Sequence, residues 1–231
     1  MKKILALLPL VAVLGLAGCE DKNEEEADGG DQLEYSTEQV KAKVQELGDT
    51  QGYEISYEVK ASDSETSHYT VGAKDHYYWA FVDSDKALYH MENNMYQAFQ
   101  YNDETGEFMK AGAEMDLSTM PEYKEAIEAV QNGYGVYLYA ANSYVEGDGL
   151  SKKGTLNFIG RSATKYEYKY VVAQGSASYE LIVDNDTGIT LKWAVSGQSN
   201  VTGEKGSASI EATSFKTGSA VQVPAHEPLQ K

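Results

Sequence analysis

Four histidines (His68, His76, His90, His226), one cysteine (Cys19) and one arginine (Arg161) are the scarce chemistry-bearing residues of this 231-residue chain. His76 and His90 fall in neighbouring expected strands and can share one end of a sheet. A metal centre needs a third ligand at matching spacing, and the sequence sets none beside them. Asp184-x-Asp186-x-Gly188 and Asp83-Ser84-Asp85 mimic part of a calcium loop, but the later ligands and the bidentate Glu at the twelfth position are missing. Ordinary hairpin chemistry, with Gly at positive φ, accounts for the first of them. There is no Gly-x-Ser-x-Gly elbow, His-Glu-x-x-His pair or glycine-rich phosphate loop. Close acid pairs are what 36 carboxylates leave on a solvated surface, so they do not indicate a glycosidase dyad. A single Cys excludes an internal disulfide framework and a thiolate zinc cluster. The residues therefore point away from an enzyme and away from a bound cofactor. With 19 bases against 36 acids and a net charge of −17, they also exclude nucleic acid as a partner.

Cys19 stands at the end of MKKILALLPLVAVLGLAGC. Two lysines precede an apolar run from Ile4 to Leu16, too short for a comfortable bilayer span and suited to a signal-peptide core. Leu16-Ala17-Gly18-Cys19 resembles the bacterial lipobox. That resemblance implies cleavage of residues 1–18, diacylglycerol on the Cys19 sulfur and further acylation of the new amino terminus. With each buried CH₂ contributing roughly 0.8 kcal/mol, two or three chains anchor stably where one would not. The implied location is a bacterial cell membrane or outer membrane, facing away from the cytoplasm. Residues 20–34 then hold eight acids and one base with almost nothing apolar. Residues 19–35 read as a flexible, self-repelling tether. Its acids, just after the Cys, resemble loosely the surface-export signals of some Bacteroidetes lipoproteins.

Tyrosine is the other unusual feature: 18 Tyr against 5 Phe. Many alternate along expected strands, on the side that also carries the aliphatic residues. A phenol buried without a hydroxyl partner costs on the order of 1–3 kcal/mol, so a dry core would use Phe, Leu and Ile. Either the rings pack while their hydroxyls reach the rim or water, or the face is a wet amphipathic groove that takes an acyl chain or a similar ligand. On the second reading the lining is Tyr53, Ile55, Tyr57, Tyr69, Trp79, Phe81, Phe158, Tyr166, Tyr168, Leu181, Leu191 and Trp193. A helical lid would carry Tyr123, Ile127, Val130 and Leu138.

The elements that must position these residues follow from periodicity. Residues 37–47 recur at helical spacing, with Thr37 as a cap and Gly48 as a stop. Period-two alternation then marks strands at Tyr53–Val59, Tyr69–Ala73, Tyr77–Phe81, Ala87–Met91, Met95–Tyr101 and Glu107–Lys110, with Asn93-Asn94 as a turn. Apolar residues at spacings of three and four predict helix within 120–145, interrupted at Gly133 and Gly135. Strands resume at Leu156–Phe158, Tyr166–Val172, Tyr179–Val183, Ile189–Val195 and Ser207–Phe215, with a short terminal one at Val221–Pro224. The expectation is one α+β, mainly antiparallel domain over 36–225, followed by a tail at 226–231.

A helix, a strand meander, an inserted helical segment and more strands is a layout that resembles the LolA/LolB lipoprotein-carrier fold. Tyr179 to Lys192, with its Asp-x-x-Thr-Gly hairpin, is similar to the corresponding stretch of LolA-like lipoproteins. Ser214-Phe215-Lys216-Thr217-Gly218 with Pro224 after it, and Gly160 to Tyr166, are similar too. The resemblance implies a curved, open half-barrel of about ten strands with an N-terminal helix and an inserted helical lid. It implies a lipid or acylated-protein ligand held in a concave cavity. The family's cavity Arg has no counterpart, so no contact residue is carried over. The rival reading is a tethered protein-interaction or sensor module with no lipid ligand.

Overall fold

A computed structural model describes residues 31–62, 64–125, 127, 135–141 and 150–229. The signal peptide, Cys19 and most of the tether lie outside the described residues, as do Val130 and much of the expected lid. Among the described residues no helix is long and apolar enough to cross a membrane.

Among the described residues one α-helix, α1 (Thr37–Thr50), precedes twelve strands. Its start is a capping box: the Ser36 hydroxyl accepts from the Gln39 N–H (3.3 Å) and the Gln39 side chain accepts from the Ser36 N–H (2.8 Å). Ser36, not Thr37, is thus the cap. Gly48 does not stop the helix. It sits inside the last turn because a Cβ there would stand 3.0 Å from the Cβ of Ala73. The chain leaves at Gly52, with φ +78°.

The strands are β1 (Tyr53–Ala61), β2 (Ser67–Lys74), β3 (Tyr77–Val82), β4 (Asp85–Glu92), β5 (Met95–Asn102), β6 (Glu107–Lys110), β7 (Met115–Asp116), β8 (Ser151–Phe158), β9 (Arg161–Val172), β10 (Gly175–Asp184), β11 (Thr190–Ser199) and β12 (Lys205–Thr217). Their order is β6-β5-β4-β3-β2-β1-β12-β11-β10-β9-β8, with β7 paired to β5. The order has two ends, so the sheet does not close. Most links are hairpins. Asp75-His76, Asn93-Asn94 and Ile159-Gly160 each have both residues at positive φ, the two-residue turn whose twist matches its strands.

The chain forms two compact units. The first holds 31–40, Glu58–Thr66 and Tyr139–Glu211; the second holds Lys41–Tyr57, Ser67–Leu138 and 212–229. In the second unit Trp79, Leu88, Phe99, Phe108 and Val221 form a buried cluster. Val221 brings the C-terminal segment onto it. This segment is a strap rather than the expected short strand. It is pinned where the Phe108 N–H donates to Ala225 O (2.9 Å) and the Glu227 N–H donates to Phe108 O (2.8 Å). The Lys74 ammonium donates to Val221 O (2.8 Å).

Candidate functional site

In the first unit the register of β9 to β12 stacks cross-strand rows on one face. Tyr166, Leu181, Trp193 and Ile210 lie opposite one another and are all buried. Leu191, two residues before Trp193 on the same strand, is buried as well. The next row is Tyr168, Tyr179, Val195 and Ala208; its two tyrosines are only half-buried. The third is Tyr170, Ala177, Gly197 and Gly206, three positions with little or no side chain beside one ring. Tyr168 and Tyr179 lie 5.6 Å apart, and Tyr179 and Trp193 6.1 Å. Beside Tyr170 and Ala177 of this row lies a depression of about 170 Å³, walled further by Val172, Val201 and residues of the two hairpin ends. Burial pushes the phenols of Tyr166, Tyr168 and Tyr179 above their ordinary pKa of 10.0. They stay neutral hydroxyls, able to donate and to accept, throughout the physiological range. The small residues of the third row escaped sequence reasoning, which sought large apolar side chains. Their signal was glycine and alanine at every second position.

The other face of this unit is charged. Glu180 joins Lys165 (2.7 Å) to Lys192 (2.9 Å), and Lys192 also reaches Glu211 (3.3 Å). The Lys165 and Lys192 ammonium groups hold the Glu180 carboxyl below its ordinary value. A concavity of about 560 Å³ lies among Lys60, Ser178, Glu180, Ser196, Ser207 and Ser209 on this side. Phe158 belongs here and not with Tyr166. It pairs with Arg161, five residues before Tyr166 on β9, and an odd separation along a strand puts two side chains on opposite faces.

In the second unit Tyr53, Ile55, Tyr57 and Tyr69 are buried. Tyr137 closes on two of them, 6.3 Å from Tyr57 and 4.9 Å from Tyr69. Protein rings therefore fill this part of the expected groove. Trp79 and Phe81 do not share it. They lie opposite Gly72 and Thr70 in the β2–β3 register, the face away from Tyr69 and Val71, under the strap. Of the expected lid residues, Tyr123 is 53% exposed, Ile127 is half-buried and Leu138 is buried.

The remaining candidates are structural. Asp184 is fully buried; its carboxylate takes both arms of Arg161 (2.8 and 2.9 Å) together with the N–H and hydroxyl of Thr187 (3.0 and 2.7 Å). The calcium-like loop thus spends its first carboxylate on a hairpin clamp. His76 and His90 do come together, ring centres 6.2 Å apart, beside Glu92. Among the described residues no group of three or more His, Cys, Asp or Glu is arranged to hold a metal.

No family model and no curated protein matches the chain. Solved structures do. LprF from Mycobacterium bovis is 12% identical, with 80% of this chain and 92% of that one covered, at a TM-score of 0.36. A putative outer membrane lipoprotein-sorting protein domain from Vibrio parahaemolyticus is 8% identical, with 80% and 92% covered, at 0.27. The LolA superfamily protein NE2245 from Nitrosomonas europaea is 10% identical, with 79% and 93% covered, at 0.22.

Proposed function

We propose that the protein is a lipid-anchored component of the bacterial cell envelope that binds a hydrophobic or amphipathic ligand, a lipid or an acyl chain, without catalysis. Cys19 carries the anchor, residues 19–35 form the tether, and the aromatic face of the first unit is the binding surface. The observation that carries this reading is the half-buried pair Tyr168 and Tyr179 beside the glycine–alanine row. Tyr170 and Ala177, in the row next to that pair, border a hollow, and the neutral hydroxyls of the pair can donate to or accept from a polar end. The hollow is smaller than the ~300–1,000 Å³ of a drug-sized ligand site, so it suits one end of a chain rather than a whole lipid.

Displacement of a fluorescent fatty acid tests the proposal. Saturable binding that Ala177→Trp abolishes is the expected result; absence of saturable binding removes the ligand. A tethered interaction module is the second reading. It draws on the hydroxyl-lined concavity of the charged face, and it predicts a co-purifying protein with no extractable lipid.

A further inference from the structure

Strands β9 to β12 run beyond both of their neighbours at one end. β8 starts at Ser151, opposite Glu167, and β9 continues for five residues to Val172. On the other side Ser62, just past β1, bonds Ser207 (2.8 Å), while Ser196, opposite Ser207, is followed by three more residues of β11 before the turn. At about 3.3 Å per residue the hairpins project roughly 16 Å beyond β8 and roughly 10 Å beyond the Ser62 contact. Their tips are tied together: the Asn200 N–H donates to Gln174 O (2.8 Å) and the Asn200 amide to Ala173 O (3.3 Å).

The composition of these tips departs from the rest of the chain. Of all residues 24% are charged, yet 170–179 and 193–203 contain no charge, two runs of ten and eleven residues that meet here. Val171 is 75% exposed and Val201 78%, the two most exposed large apolar side chains described. The first described residue lies toward this side as well. Asp31 is held at the start of β8, its N–H on Leu150 O (2.9 Å) and its carboxylate on the Lys152 N–H (2.7 Å). Tyr35 then bonds Asn185 O at the opposite end of the strands. Asp31, the first described residue, therefore lies toward the end to which the hairpins point. The stretch from Cys19 to Asp31 spans at most about 40 Å.

We propose that the paired hairpin tips around Val171 and Val201 dock shallowly into the neutral interface of a phospholipid bilayer. An anionic surface is disfavoured, because the chain carries −17 overall and the tips offer no Lys or Arg to offset it. A zwitterionic interface takes the two valines while Gln174 and Asn200 meet headgroup oxygens. Two such side chains bind weakly, so the contact depends on the N-terminal anchor to keep them beside the membrane, and to that extent rests on the proposed anchor.

The test uses the full chain in phosphatidylcholine vesicles with brominated or plain acyl chains. Trp79 and Trp193 are 1% and 2% exposed, so a tryptophan placed at the tip reports separately. In Val201→Trp the new emission should shift to the blue and be quenched by brominated lipid. Met109→Trp, at an exposed site in the second unit, should stay unquenched. Adding Val171→Asp should lower the apparent docking constant roughly tenfold. A chain that floats with the vesicles but shows no quenching at 201, or equal quenching at 109, overturns the docking and leaves the anchor standing. A chain that fails to float overturns the anchor and the docking with it.

Discussion

The indole of Trp79 lies across Gly72 so closely that a Cβ on Gly72 would stand 2.3 Å from two ring atoms. The contact locks β2 to β3 on the face covered by the strap, where Trp79 is 1% exposed. Gly72→Ala must push the ring out of a packed site, and overpacking of this kind costs about 1–3 kcal/mol. Urea unfolding followed by tryptophan fluorescence should show the lowered midpoint. An unchanged midpoint would mean that the ring has room to move.

The same pair explains where sequence reasoning succeeded and where it failed. Helix α1, the strand sites and the hairpins followed from periodicity and turn residues. The sides on which residues fall did not, because alternation within one strand says nothing about the next strand until the turn length is known. Across a two-residue turn, residues of opposite parity share a face. Lys74 pairs with Tyr77, so Tyr69 shares its face with Val82, and Trp79 and Phe81 point the other way. Phe158 and Tyr166, both even, part in the same manner across Ile159-Gly160. Tyr168 and Leu181, of opposite parity across Ala173-Gln174, do share a face. Those turns were available in the sequence. The strap was not: bonds between Phe108 and residues 225–227 join segments more than a hundred residues apart, with no periodic signal.

The clamp at Asp184 should dominate the stability of the first unit. Arg161→Ala leaves a fully buried carboxylate with only the Thr187 donors, and breaking such a pair costs about 3 kcal/mol. Arg161→Lys keeps the charge but loses the two-pronged geometry, so a smaller loss is expected. Denaturant titration should rank wild type above Lys above Ala. Equal midpoints for all three would contradict the role assigned to the clamp.

His90 should make the second unit acid-sensitive. Burial pushes its imidazole below the ordinary 6.5; Glu92 and Glu114 oppose the shift, and His76 and His226 add to it. Its Nδ1 has no hydrogen-bond partner among the described residues. Below pH 6.5 the unfolded chain takes up a proton that the folded one resists, so stability falls as pH drops from there toward the lowered pKa. The slope from this one group is at most about 1.4 kcal/mol per pH unit. His90→Leu should flatten the profile between pH 6.5 and 5 relative to wild type. Parallel profiles would place the titration elsewhere.

Cys19→Ser should abolish the proposed lipidation. Cells fed labelled palmitate should label the wild-type chain and not the variant, and intact-mass measurement should find residues 1–18 retained in the variant. Equal labelling of both chains would place the acyl groups on another residue.

The most direct measurement of ligand binding at the aromatic face is photocrosslinking with a diazirine-bearing fatty acid, followed by peptide mapping. Adducts are expected on Tyr168, Tyr170 or Tyr179, and an unlabelled long-chain fatty acid should compete them away. Labelling that is absent, that resists competition, or that falls only on peptides of the second unit would contradict binding at this face.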